Sequence, residues 1–296
     1  MVKGMSEKRQ LTLGTLVFPH HSVGAPKASR NQKIDPLLKW PGGKRALLRN
    51  LLALVPGQFG RYFEPFLGGG ALFFALRPHE AFLSDLNKEL IECYVAVRDY
   101  PEQVIQHLRS WPNSRHVYYS VRRSSPRSTT RRAARLIYLS TLAFNGIFRV
   151  NRQGKFNVPY GHKTHVDVVQ PGKICATSKV LKSALLKHCD FEEAVKPARM
   201  GDLLYFDPPY TVAHGTNGFR KYNSRIFSWN DQIRLAAIVH RLADRGCHVI
   251  VSNACHDSVR DLYADFKQVS ISRVSRVSAS SDARRIVHEL IIANVI

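Results

Sequence analysis

Asp207-Pro208-Pro209-Tyr210 is the stretch of this chain whose residue types and order suit chemistry on a flat, amine-bearing ligand. It follows Leu203-Leu204-Tyr205-Phe206, a short apolar run that reads as a buried parallel strand. The acid therefore falls at a strand's carboxyl end, where open α/β sheets collect ligands. Two prolines stiffen the backbone and remove two amide donors, leaving carbonyls as the main-chain polar groups. The Asp carboxylate and a neighbouring carbonyl form a pair of acceptors for the two hydrogens of a planar amino group. Tyr210 adds a face on which a ring can stack. Taken alone, the tetrapeptide reads equally well as a stiff turn.

Its company upstream tips the balance. Arg61 to Phe66, Gly68-Gly69-Gly70 and Ala71 to Leu76 read as strand, glycine turn and helix. Such a turn brings backbone amides close to a nucleotide-like ligand. The spacing is Phe66-x-Gly68-x-Gly70, neither GxGxxG nor a phosphate loop. A second strand, Ala81 to Asp85, ends in an acid placed to grip ribose hydroxyls or to cap the helix through Leu90 and Tyr94. His188-Cys189-Asp190-Phe191 can set Asp190 and Phe191 beside the same ligand, although a core role suits Phe191 as well. Earlier, Lys39-Trp40-Pro41-Gly42-Gly43-Lys44 reads as a turn opening a helix with apolar residues at 47, 48, 51, 52 and 55. Lysine in a first turn opposes the helix dipole, which suggests an anionic partner for Lys44.

These pieces need a sheet to hold them. Short apolar strands alternate with helical patterns, and Ser228 caps a helix that Gly246 ends. Two closing strands, 267–274 and 286–295, have no long helix between them. The expected fold is thus α/β, a Rossmann-like sheet, mostly parallel with an antiparallel edge pair. Residues 34–100 and 175–296 form the core, 1–33 a basic tail, and 101–174 an insertion. The insertion crowds Arg and Ser over 109–135 around Trp111, Tyr118 and Tyr119, with helices over 102–109 and 130–143. Phe144 to Tyr160 follows, with Arg152-Gln153-Gly154-Lys155 as a hairpin tip between two short β runs. Its basic residues suit phosphates, Arg and Asn suit base edges, and an exposed aromatic suits a wedge between base steps. The loop 211–227, rich in Gly, Asn and Arg, is placed to close over a substrate.

The bulk composition agrees. The 296 residues carry 44 Lys and Arg against 22 Asp and Glu, a formal charge of +22, which points to a polyanionic partner. No apolar run approaches membrane-spanning length and no secretory signal is visible. Five scattered cysteines without a CxxC pair suggest free thiols in a reducing cytoplasm, not a zinc site or disulfide frame.

The combination resembles the Dam-type (D12 class) DNA adenine-N6 methyltransferases. Lys39 to Lys44 is similar to the family's K-W-x-G-G-K, Phe66 to Gly70 to its F-x-G-x-G, and Ser84 to Asn87 to its strand-end D-x-N. Phe144 to Gly161 resembles its recognition hairpin, N-G-x-x-R-x-N-x-x-G-x-F-N-V-P-x-G, and Asp207 to Tyr210 its D-P-P-Y. The likeness runs from about residue 36 to the end. Residues 1–33 precede the usual family start, and serine-rich 270–281 departs from it. The resemblance implies S-adenosylmethionine as cofactor, contacted by Trp40, Lys44, Asp85 and Asp207. It implies that Phe66, Gly68 and Gly70 shape the methionine side, and that Asp190 and Phe191 flank the adenine. Catalysis would fall to Asp207, Pro208, Pro209 and Tyr210 on an adenine flipped from double-stranded DNA. Phe144, Asn145, Arg149, Asn151, Arg152 and Lys155 would contact that DNA, Phe144 as wedge and Arg149 as base reader. A monomer, a cognate restriction endonuclease in the same system and no metal complete the expectation. Cytosine-C5 chemistry is disfavoured because no Pro-Cys pair occurs, and cytosine-N4 chemistry because Asp, not Ser, precedes Pro-Pro-Tyr. An inactive DNA-binding regulator and an RNA adenine methyltransferase stay open as alternatives. On the catalytic reading, the Asp207 carboxylate must face a space shared with the Gly68–Gly70 turn.

The charge generates a direct prediction. DNA binding weakens with salt, log K falling with log salt at a slope of about −0.9 per phosphate neutralised. A salt titration of affinity checks this, and a flat curve contradicts a nucleic-acid partner.

Overall fold

The computed structural model describes residues 35–151, 153–212, 227–274 and 286–294. The basic tail, Arg152, most of the loop over 211–227 and part of the serine-rich stretch therefore lie outside the described residues. The sheet has seven strands in the order β3-β2-β1-β4-β5-β7-β6. These are β1 Tyr62–Glu64, β2 Ala81–Asp85, β3 Ala184–His188, β4 Leu203–Phe206, β5 His248–Ala254, β6 Lys267–Val274 and β7 Ile286–Ala293. The first five are mutually parallel, while β7 runs antiparallel to both β5 and β6. Strand order reverses between β1 and β4, and it is at the carboxyl ends beside such a reversal, here beyond Glu64 and toward Asp207, that open α/β sheets take ligands.

Side-chain alternation divides the core between the two faces. Tyr62, Leu83, Leu203, Tyr205, Ile250 and Ile291 pack on one face and Phe63, Leu204, Phe206, Val249, Val251 and Leu290 on the other. All four residues of β4 are buried, as a central strand covered on both sides requires. The first face carries α1 Leu48–Leu52, α2 Ala71–Leu76, α3 Lys88–Asp99, α4 Pro101–Arg109, α5 Arg115–Arg123, α6 Thr129–Leu142 and α7 Pro171–Leu181. The second carries α8 Phe191–Val195, α9 Trp229–Asp244 and α10 Asp257–Leu262. Ser228 starts α9 with a reciprocal capping box to Asp231. Helices α4 to α6 share one hydrophobic cluster with the sheet, and α7 spans the expected 174/175 boundary. The insertion is therefore continuous in its packing with the core. The turn at Lys44–Ala46 is a 3-10 helix, followed by α1.

The amino ends of β1 and β4 are clamped by a buried ion pair. Arg61 donates to Asp202 through its main-chain N at 2.9 Å and through Nη2 at 2.7 Å, and Arg199 N donates at 2.9 Å. Burial alone would push the Asp202 carboxyl up, but these hydrogen bonds and the Arg61 charge hold it below its ordinary value. The contribution is present above the unfolded carboxyl's pKa and is lost as pH falls through the lower folded one. Replacing Asp202→Ala leaves Arg61 Nη2 on the Pro197 carbonyl at 2.6 Å and costs about 1.5–3 kcal/mol for the lost charged hydrogen bonds. Urea unfolding near neutral pH measures it, and an unchanged midpoint contradicts the clamp.

Candidate active site

Asp207 leaves β4 with its carboxylate anchored on one side only. Lys44 Nζ lies 2.8 Å from Oδ1, and Ser252 Oγ donates to the same Oδ1 at 2.7 Å. Since Ser252 gives its proton to the carboxylate, the Tyr205 hydroxyl 2.9 Å away donates to Ser252 in turn. Oδ2 has no hydrogen-bond partner among the described residues. The side chain is 18% exposed. Burial pushes the carboxyl above its ordinary value, opposed by the Lys44 charge and the hydrogen bonds from Lys44 and Ser252. The anion suspected for Lys44 is thus Asp207 of its own chain. Lys44 also donates to Gly42 O at 2.7 Å, stands 4.0 Å from Glu289 Oε2, and sits 4.8 Å from the centre of the Tyr210 ring. Tyr210 Oη donates to Glu289 Oε2 at 2.8 Å. Pro208 is buried and Pro209 half-buried.

The glycine turn is held by the neighbouring strand's acid. Gly68 N donates to Asp85 Oδ2 at 3.0 Å and Asn87 N to Oδ1 at 2.8 Å. Burial raises the Asp85 carboxyl against these two amides. The helix cap is Asn87, which accepts from Leu90 N, not Asp85. Gly68 at φ +46° and Gly70 at φ +65° occupy the left-handed region. A Cβ on Gly68 would come within 3.0 Å of the Trp40 ring, and one on Gly70 within 3.0 Å of Phe74. Between the two acids lies Glu64, 2% exposed, which accepts from Tyr62 Oη at 2.9 Å. Burial first, then the charges of Asp207 and Asp85, push its carboxyl up to about 8, while the Tyr62 hydroxyl and Phe73 N–H oppose the rise. Sheet order sets β1 between β2 and β4, so Glu64 stands between the strand-end acids Asp85 and Asp207 at the sheet's carboxyl edge.

Phe66 is half-buried and stacks on Phe191, ring centres 5.3 Å apart. Phe191 itself is 2% exposed, covered also by Phe227 and by the Arg234 guanidinium at 4.2 Å. It forms core behind Phe66. Asp190 caps α8 and pairs with Arg234 through two bonds of 2.9 Å. The structure therefore gives both residues partners within the chain. Beyond Tyr210, Thr211 Oγ1 donates to Phe227 O at 2.7 Å, which ties the two ends of the intervening loop together.

The hairpin stretch leaves α6 through a 3-10 turn at Phe144–Gly146, with Asn145 at φ +53°. In place of two β runs there are two isolated bridges, Ala143 with Tyr160 and Val150 with Phe156. The tip is closed locally: Asn151 Oδ1 accepts from Gln153 N and Lys155 N, each at 3.0 Å. Asn151 is thereby occupied as a turn former. Phe144, Asn145, Arg149, Asn151 and Lys155 are all exposed, and Arg149 Nε donates to Asn157 Oδ1 at 2.9 Å. Helix α5, absent from the expectation, supports this arm through Tyr118 Oη to Val158 O at 3.0 Å. The arm reaches the crevice through Trp40, whose ring stacks on Phe148 at 4.5 Å and 21°.

Sequence reasoning missed Ser252, Tyr205 and Glu289. Ser252 and Glu289 lie 45 and 79 residues from the motif residues they bind. The only local signal is a polar residue inside an otherwise buried strand.

The family described as D12 class N6 adenine-specific DNA methyltransferase matches residues 40–277. The chain is 39% identical over 271 residues to the type II methyltransferase M1.LlaDCHI of Lactococcus lactis subsp. cremoris, covering 88% of this chain and 95% of the relative. It is 31% identical to the type II methyltransferase M.MjaIII of Methanocaldococcus jannaschii, covering 88% and 99%. To the DNA adenine methylase of Escherichia coli K12 it is 29% identical, covering 88% and 95%.

The Lys44 contact is testable in the protein alone. Lys44→Met removes the charge that opposes burial at Asp207, so this carboxyl titrates higher still. Carbon-13 NMR of labelled aspartate reads the shift; an unmoved Asp207 titration contradicts the ion pair.

Proposed function

The chain belongs to the D12 class of N6 adenine-specific DNA methyltransferases, and from that premise we propose that the crevice beyond β1 and β4 carries out the transfer with S-adenosylmethionine as donor. The single observation that carries the assignment of roles is the asymmetry of Asp207, one oxygen anchored and the other open.

The donor set suits the cofactor. The close-approach turn at Gly68 and Gly70, the acid Asp85 with lone pairs left on both oxygens, and the half-buried rings of Trp40 and Phe66 offer a nucleoside and its amino-acid tail polar and flat contacts. Lys44 suits a carboxylate of the bound ligand as well as its own acids. Asp190 and Phe191 support that wall through Arg234 and Phe66. When bound, S-adenosylmethionine supplies a methyl group already activated on a sulfonium.

The difficulty left to the protein is the adenine amine, whose lone pair is delocalised into the ring. Asp207 Oδ2 accepts one N6 hydrogen and the Pro208 carbonyl the other. The nitrogen is drawn toward tetrahedral geometry and its lone pair is freed. Acceptors fixed before reaction favour the positive charge growing on N6 and need no reorganisation. Lys44 opposes that charge, but two carboxylates, Asp207 and Glu289, face one ammonium. Alignment of the reacting groups supplies about 7–11 kcal/mol of the barrier. The proton leaves N6 with or after transfer, toward Asp207. Tyr210 stacks on the base, which must be flipped out because N6 is unreachable inside the duplex.

The hairpin supplies target readout. Exposed Arg149 reads a base edge, Phe144 wedges into the step vacated by the adenine, and Asn145 and Lys155 add contacts along the groove. Arg152 joins them on sequence grounds. Asn151 shapes the tip that presents them. Similarity to two type II methyltransferases supports a place in a restriction-modification pair.

Asp207→Ala removes one of the two amine acceptors and lowers methylation of adenine-containing duplexes by at least about 10²–10³-fold. Mass spectrometry of N6-methyladenine measures it. Normal turnover in this variant contradicts the assigned role.

A further inference from the structure

We infer that Glu289, on the antiparallel strand β7, is a positioning residue for methyl transfer, fixing the Tyr210 ring and holding the Lys44 ammonium between two carboxylates. The inference rests on Asp207 and Tyr210 being the reacting centre. Glu289 lies outside residues 40–277, the span matched by the family.

Its place in the sheet is unusual for an acid. Along β7, Leu290 and Ile292 pack on one face and Ile291 and Ala293 on the other. Period-two alternation puts Glu289 on the face of Ile291 and Ala293, where an aliphatic side chain would continue the core. The carboxylate is nevertheless 2% exposed. A charge taken that far from water is costly unless it is paired and hydrogen-bonded. Register sets it opposite Ala254, the last residue of β5, at the carboxyl edge where Asp85 and Asp207 also lie. Because β7 runs the other way, its acid reaches this edge from near the strand's start.

The contacts made there belong to the crevice. Oε2 accepts the Tyr210 hydroxyl at 2.8 Å and lies 4.0 Å from Lys44 Nζ. The ring of Tyr210 is thereby pinned at its far end, while Lys44 rests 4.8 Å from its centre. Without Glu289, the ring loses the anchor at its hydroxyl and the ammonium loses one of the two acids beside it. Both changes displace groups that must meet the base in one geometry. A displacement of about 1 Å from a remote change suffices for a loss near 10²-fold. The nearby negative charge of Glu289 also adds to the upward push on Asp207.

The test is single-turnover methylation by the full chain with saturating S-adenosylmethionine, on a duplex carrying the target mapped for the wild type. DNA affinity and thermal unfolding are measured on the same proteins. Glu289→Ala slows the step about 100-fold with DNA affinity unchanged. Glu289→Gln keeps an acceptor for the Tyr210 hydroxyl but not the charge facing Lys44, and recovers part of the rate. Tyr210→Phe keeps the ring, loses the anchored hydroxyl and is slowed too. Combined with Glu289→Ala it adds little further loss, because the carboxylate that accepts its hydroxyl is already gone. Wild-type rate in Glu289→Ala overturns the inference, as does a glutamine variant as slow as the alanine one. An unslowed Tyr210→Phe overturns it even if Glu289→Ala is too unstable to assay. Absence of adenine methylation by the wild type itself refutes the parent reading instead, and this inference with it.

Discussion

Two donors converge on a single oxygen of Asp207, and the rest of the site depends on that convergence. Lys44 and Ser252 both bind Oδ1. A carboxylate shared evenly between them would have presented no preferred acceptor to an incoming amine. Here the rotation of the group is fixed from behind and from the side, by residues on β5 and at the start of the first helical turn. Ser252 is held by Tyr205, a residue of the same strand that delivers Asp207. The Ser252 half of the anchoring is therefore built into two adjacent strands of the sheet, while Lys44 reaches the same oxygen from the turn before α1.

The short segment from Lys39 to Lys44 connects three regions that lie far apart in the chain. At one end, the Lys39 side chain packs so close to Gly146 that a Cβ there would lie 2.9 Å from it. In the middle, Trp40 stacks on Phe148 of the hairpin arm and lies against Gly68 of the glycine turn. At the other end, Lys44 binds Asp207. Packed rings and the backbone of this one short segment thus join the hairpin, the glycine turn and Asp207 into one contiguous structure.

Much of this was legible in the chain itself. The strand Leu203–Phe206 announced itself as an apolar run, and the acid beyond it by position. Helices α4, α6 and α9 followed from periodicity and caps, and the closing antiparallel pair from two strand patterns without a helix between them. Helix α5 was hidden because Arg115–Arg123 buries only Tyr118 and Val121, too few apolar positions to stand out among three arginines. The hairpin was over-read as two strands because alternation cannot see that Asn151 closes the tip with its own side chain. For Phe191 the sequence leaves a place beside the ligand and a core role both open; its neighbours Phe66, Phe227 and Arg234, all distant in sequence, bury it. Ser252 and Glu289 were invisible for a related reason. Their partners are set by strand register, which a linear pattern does not encode.

The most direct measurement of the central claim is a crystal structure of the protein with its target duplex and a cofactor analogue that cannot transfer its methyl. The account predicts a flipped adenine with N6 in hydrogen-bond contact with Asp207 Oδ2, and Ser252 still on Oδ1. An amine bound to the Lys44 side of the carboxylate, or an adenine left stacked in the helix with Asp207 untouched, would contradict it.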